Sequence, residues 1–136
     1  MKFSVPHDII ITGVGFYKNK TVDVFYDLFI FEEIGNNTKL VFSEKKVIVR
    51  KDEFEENEVY KHRINNIEIK ANTTYQIHQY LSKTEKNQYF GLKGTEAIEE
   101  KSTLISFKFS NCEIPGRTNS TDIEEGMIPA IYFYVI

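Results

Sequence analysis

Between Val22 and Glu32 the chain reads VDVFYDLFIFE, and this stretch restricts its fold more than any other. Val22, Val24, Tyr26, Leu28 and Ile30 fall on one side of an extended strand. Phe25, Phe29 and Phe31 fall on the other, together with Asp23 and Asp27. Successive side chains of a strand point to opposite faces. A stretch that is apolar on both therefore predicts a central strand, covered on much of both sides.

The rest of the chain follows the same rule in shorter pieces. Residues 8–17 (DIIITGVGFY) are β-branched, with Gly13 and Gly15 in the interior. Glycine inside a strand marks a bulge or a place where another backbone comes close. Gly35-Asn36-Asn37 is a turn signal. Two shorter strands are predicted after it, at 38–43 and 45–50, and then the acidic stretch Asp52 to Glu58 reads as an exposed loop. Residues 59–64 and 66–71 are the next pair of strands, the second with Ile67, Ile69 and Ala71 inward and Asn66, Glu68 and Lys70 outward. Asn72-Thr73 turns the chain into 74–82, where Tyr75, Ile77 and Leu81 make one face. Strands near 95–99, at 103–110 and at 128–135 complete the set, separated by polar loops over 83–94 and 111–127. Ten or eleven strands at intervals of about 8–12 residues have the rhythm of a sandwich or barrel. No linker, internal repeat or low-complexity segment interrupts it, so the 136 residues form one domain.

Composition agrees. Eleven Phe and eight Tyr give 14% aromatic residues, which suit a pleated, half-buried surface. With 41% hydrophobic and 27% charged residues the chain is too apolar for disorder and too charged for a membrane span. The net charge of −3 comes from interspersed residues with no basic stripe, which argues against nucleic acid. Apolar runs such as Ile9-Ile10-Ile11 are far too short to cross a membrane. No signal pattern opens the chain, and its one cysteine, Cys112, has no internal disulfide partner. A cytoplasmic setting is the expectation. In it, the sequons at Asn19, Asn36, Asn72 and Asn119 carry no glycan.

No catalytic constellation emerges. Gly13-Val14-Gly15 lacks the third glycine of a dinucleotide-binding loop, since position 18 is Lys18, and the following residues continue as strand. His7, His62 and His78 have no ligand-type spacing and Cys112 has no second thiol, so no metal and no cofactor are expected. His78 alternates with the apolar face of its strand and is expected to face solvent. The adjacent carboxylates Glu32-Glu33, Glu55-Glu56, Glu99-Glu100 and Glu124-Glu125 point to opposite faces of any strand, which suits solvated charge better than acid–base work.

Function on a rigid sandwich sits on its loops. Two loops combine aromatic, glycine and charged residues, QYFGLKG at 88–94 and PGRTNSTDIEEGM at 115–127. Tyr89, Phe90, Lys93, Arg117, Asn119 and Glu125 are the candidate partner-binding residues, and Gly91, Gly94 and Gly126 shape the loops that carry them. Pro129 opens the last strand, where a missing N–H is tolerated, and Gly126 lets the chain turn just before it.

The last third is also recognisable. Phe107-Lys108-Phe109, Asn119-Ser120-Thr121, Ile123 to Pro129 and Ile131-Tyr132-Phe133-Tyr134 resemble the end of the PHR domain. That family shows an F-x-F strand, an N-G-T turn, a V-x-x-G-Q-I-P segment and an aromatic closing strand. Phe3-Ser4-Val5, Ile9 to Ile11 and Gly13 to Tyr17 are similar to its opening strands. Asn72 to Tyr75 and Tyr89 to Gly94 follow in the family's order. Ser120 stands where the family usually has glycine, Met127 where it has glutamine, and Lys18 where a glycine often follows the aromatic residue.

The resemblance implies an antiparallel β-sandwich of about eleven strands without catalytic residues. It further implies a protein-recognition module from a ubiquitin-ligase-associated protein of BTB or RING type, excised from a longer chain, that binds partners or substrates. A carbohydrate- or other small-ligand-binding sandwich, with a Tyr or Phe platform among Asn and Asp, is the alternative from a different class. Neither reading sets an oligomeric state.

Overall fold

The computed structural model describes residues 1–17, 23–50, 59–81, 97–100, 105–110, 128 and 130–136. These residues form nine strands and no helix: β1 (Lys2–Ser4), β2 (Ile9–Tyr17), β3 (Val24–Ile34), β4 (Asn37–Val49), β5 (Val59–Ile69), β6 (Tyr75–Leu81), β7 (Ala97–Glu100), β8 (Ile105–Ser110) and β9 (Ile131–Val135). Six of them make one antiparallel sheet in the order β4-β3-β6-β1-β8-β7, and three make a second in the order β5-β2-β9. The sheets pack face to face as a β-sandwich, the expected class.

The alternation read in the sequence is the alternation that packs. Val24, Tyr26, Leu28 and Ile30 of β3 are buried against Ile9, Ile11, Val14 and Phe16 of β2 and Ile64, Ile67 and Ile69 of β5. Each such side chain, taken fully out of water, contributes roughly 1.5–3 kcal/mol. At the β8–β9 side, aromatic rings join the sheets. Phe3 lies 5.8 Å from Tyr75 and 6.3 Å from Phe107, and Phe107 lies 5.0 Å from Phe133 of the smaller sheet. At the other side the edge strands β4 and β5 are tied by Glu44 Oε2, 2.7 Å from His62 Nε2.

Two expected breaks are bulges instead. The strands read at 38–43 and 45–50 are one strand, β4. Lys46 takes a left-handed φ of 60° there, and its amide donates to Asp27 Oδ1 at 3.0 Å. The pairing with β3 shifts register at that point and resumes. The strands read at 59–64 and 66–71 are likewise one strand, β5. Its register against β2 jumps from Ile11↔Ile67 to Gly13↔Arg63, which leaves Asn65 and Asn66 exposed between the buried Ile64 and Ile67. Joining these two pairs turns the ten strands predicted above into eight, and β1 makes nine among the described residues.

Gly13 and Gly15 behave as strand glycines at close approach. A Cβ on Gly13 would meet the His62 carbonyl oxygen at 2.8 Å, and the Tyr132 ring already lies 3.4 Å from that position. Lys61 Nζ in turn sits 4.3 Å from the centre of the Tyr132 ring. An aromatic residue from β9 thus covers the side-chain-free strip of β2, and a cation from β5 covers the aromatic.

Candidate functional site

Even-numbered strands run toward one end of the sandwich and odd-numbered strands away from it. Within the sheets this follows from the antiparallel pairings. Between the sheets, the far end of β2 meets the start of β3 and the far end of β6: the Phe16 and Tyr26 rings are 5.0 Å apart, and Gln79 Nε2 donates to the Gly15 carbonyl at 3.3 Å. Connections therefore sort into two sets by the end at which they leave and return.

At one end the chain passes between strands through 5–8, 35–36, 70–74 and 101–104, none longer than five residues. The described part of this end is held by its own hydrogen bonds. Ala71 N donates to Asp8 Oδ1 at 2.7 Å, Asn72 N to the Val5 carbonyl at 2.8 Å, and Lys70 N to the Tyr75 hydroxyl at 3.1 Å. Gly35 opens the two-residue hairpin with φ 60°, as that geometry requires. This end is built to reverse the chain.

At the other end the intervals between the described strands are 18–23, 50–58, 82–96 and 111–130. These are six, nine, fifteen and twenty residues, and all four strand pairs end at the same place. Every candidate residue belongs here: Tyr89, Phe90, Gly91, Lys93 and Gly94 fall in 82–96, and Arg117, Asn119, Glu125 and Gly126 in 111–130. All nine lie outside the described residues, as do Cys112, the stretch Asp52 to Glu58 and Pro129. The strand ends flanking them are described, and those ends share one rim.

The rim stands on a tightly connected base. Gly15 N donates to the Ala130 carbonyl at 2.8 Å, which fixes the approach to β9 against β2. Phe16 packs edge-on to the His62 ring at 6.1 Å, and Tyr60 stacks on His62 at 6.5 Å. Burial pushes the Tyr26 hydroxyl up to about 12, so it stays protonated under any working condition. Gln79 is the buried polar residue inside this base among the described residues, 8% exposed, and its Oε1 has no hydrogen-bond partner among them. Sequence reasoning passed over Gln79. Its place in the row Tyr75-Ile77-Gln79 was the signal, since every second residue of β6 points into the core.

The outer face of the larger sheet carries a second group of side chains. Phe29, Phe31, His78 and Tyr80 form a closed set, with ring separations of 6.3, 4.9, 5.9 and 5.7 Å around the circuit. His78 is on the face away from the core, as its alternation requires, but it does not simply face solvent. Gln76 Oε1 lies 2.9 Å from Nε2 and the Tyr80 hydroxyl 3.0 Å from Nδ1. Burial among these rings, and then the positive charge of the Met1 amino group, bring His78 down to about 4. The aromatic neighbours that a strand-by-strand reading cannot supply are the reason for the correction. Beside them Glu33 accepts from Lys2 Nζ at 2.8 Å and Gln76 Nε2 at 2.7 Å, and those two bonds hold its carboxyl below the usual range.

The family model described as the PHR domain matches residues 1–134 of the chain. None of the curated proteins matches it.

Proposed function

The chain belongs to the PHR domain family, and on that footing we propose that it is a non-catalytic protein-recognition module of a ubiquitin-ligase-associated protein, of BTB or RING type, acting in the cytoplasm. The observation that supports this reading most is the sorting of connections by length. All four long ones leave from one end of a rigid sandwich, the usual place for recognition on such a scaffold. Tyr89, Phe90, Lys93, Arg117, Asn119 and Glu125 are the proposed contact residues, with Gly91, Gly94 and Gly126 shaping the segments that carry them. Residues held at both ends by strand lose less freedom on binding, and the surplus appears as affinity. No cofactor, metal, nucleic acid or membrane has a part in this reading.

The test is affinity purification of the native protein from its own cells, followed by mass spectrometry. A species much larger than 15.9 kDa, carrying BTB or RING sequences or cullin components, supports the proposal. A species of about this mass with none of those companions contradicts it. Saturable binding of one sugar class on a glycan array would put the carbohydrate-binding reading in its place.

A further inference from the structure

Beyond the loop-bearing end, β4 is an edge strand of the larger sheet among the described residues. β4 is thirteen residues long and, among the described residues, pairs with β3 alone. A typical strand has about five or six residues. Its unpaired N–H and C=O groups form a template for another strand. The direction of the amides follows from the neighbouring ladder. Glu33 N donates to the Thr74 carbonyl at 2.9 Å, on the β6 side, so the facing pair Glu33↔Thr38 exchanges no hydrogen bond. The N–H of Thr38, and that of Leu40 two residues on, therefore point out of the sheet's edge.

The side chains along this edge have a consistent character. Leu40 is 48% exposed and Ile48 36%, and they stand beside Phe31 and Phe25 on the outer face. Lys39, Lys45 and Lys46 are all exposed. On the neighbouring edge strand β5, Arg63 is exposed as well. The carboxylate within β4, Glu44, is engaged by His62. A chain of net charge −3 thus presents a basic edge with apolar residues between the cations.

We propose that the β4 edge takes up an extended segment of a partner protein in which acidic residues alternate with apolar ones. Such a segment would add a strand to the larger sheet. Its main chain meets the amides of Thr38 and Leu40, its acidic side chains meet the lysines, and its apolar side chains extend the Leu40–Phe31 surface. A second copy of β4 fits poorly, because it brings three more lysines to the same seam.

The probe is a nine-residue peptide alternating valine with glutamate, capped at both ends, with a counterpart in which lysine replaces every glutamate. Binding is followed by fluorescence anisotropy and by amide hydrogen exchange. The acidic peptide is expected to bind and to slow exchange at Thr38 and Leu40. Lys39→Glu combined with Lys45→Glu, two exposed changes, is expected to weaken binding ~10-fold. Thr38→Pro removes one outward N–H without taking a β3–β4 hydrogen bond, and should abolish protection at Leu40 while the thermal midpoint stays close to wild type. Absence of binding, equal binding of the lysine peptide, or protection that falls away from β4 would each overturn the proposal.

Discussion

The two ends of the sandwich are made from the same strands and differ in what joins them. At one end four connections of four, two, five and four residues reverse the chain, and Asp8, Tyr75 and Gly35 hold those that are described. At the other, six, nine, fifteen and twenty residues separate the strands, far more than a reversal needs. Lengthening a surface connection costs little, because closure entropy grows only with the logarithm of length. Long segments between the strands at that end are therefore tolerated by the fold. The difference places the described hydrogen-bonded structure at the short end and beneath the rim, and it supports the proposal that recognition belongs to the long end.

That division can be attacked first at the base that carries the rim. Gly13→Ala places a Cβ where the His62 carbonyl oxygen stands 2.8 Å away, in the middle of the β2–β5 ladder. Backbone must move, and the expected cost is roughly 1–3 kcal/mol, read as a lower urea midpoint. An unchanged midpoint would show that the strands separate at no cost there, and the rigid-base argument would fail.

The short end comes next. Tyr75→Phe deletes the hydroxyl that accepts from Lys70 N and leaves the buried ring in place. A loss of about 1–2 kcal/mol is expected, with partner capture unchanged. Lost capture by a stably folded Tyr75→Phe protein would place recognition at the wrong end.

A smaller effect is a pH dependence on the outer face. His78 lies near 4 in the folded protein and near 6.5 when unfolded, so between those values the unfolded chain holds more protons. Stability conferred by neutral His78 is full above about pH 6.5 and falls as the pH drops toward 4. Melting curves across that window should show the decline, and His78→Gln should reduce it. A slope that persists in the variant would assign it to other groups.

The smallest effect on stability is expected at the long end itself. On the proposed function, Tyr89→Ala and Arg117→Ala should stay within about 0.5 kcal/mol of wild type and yet lose the partner. A loss of folding instead would assign those two residues to structure.

Much of the fold was legible in the sequence. The inner row of β3 and the Ile67–Ile69 part of β5 follow from period two alone, and the internal glycines of β2 announce a bulge that the pairing places at Thr12. Two bulges in β4 and β5 were read as strand ends, because a local polar interruption looks the same whether or not pairing resumes beyond it. The contribution of Lys46 could not be seen at all, since its left-handed backbone depends on Asp27, nineteen residues away. The same limit hid the His62–Glu44 link and the rings around His78, which join residues from different strands. The candidate residues follow from loop composition. What strand direction adds is that both of their segments leave from one end.

The most direct measurement is hydrogen exchange on the complex with the partner recovered by affinity purification. The account predicts slowed exchange across 82–96 and 111–127, with 70–74 and the 35–36 hairpin unchanged. Protection confined to the short-connection end, with 82–96 and 111–127 exchanging as in the free protein, would contradict it.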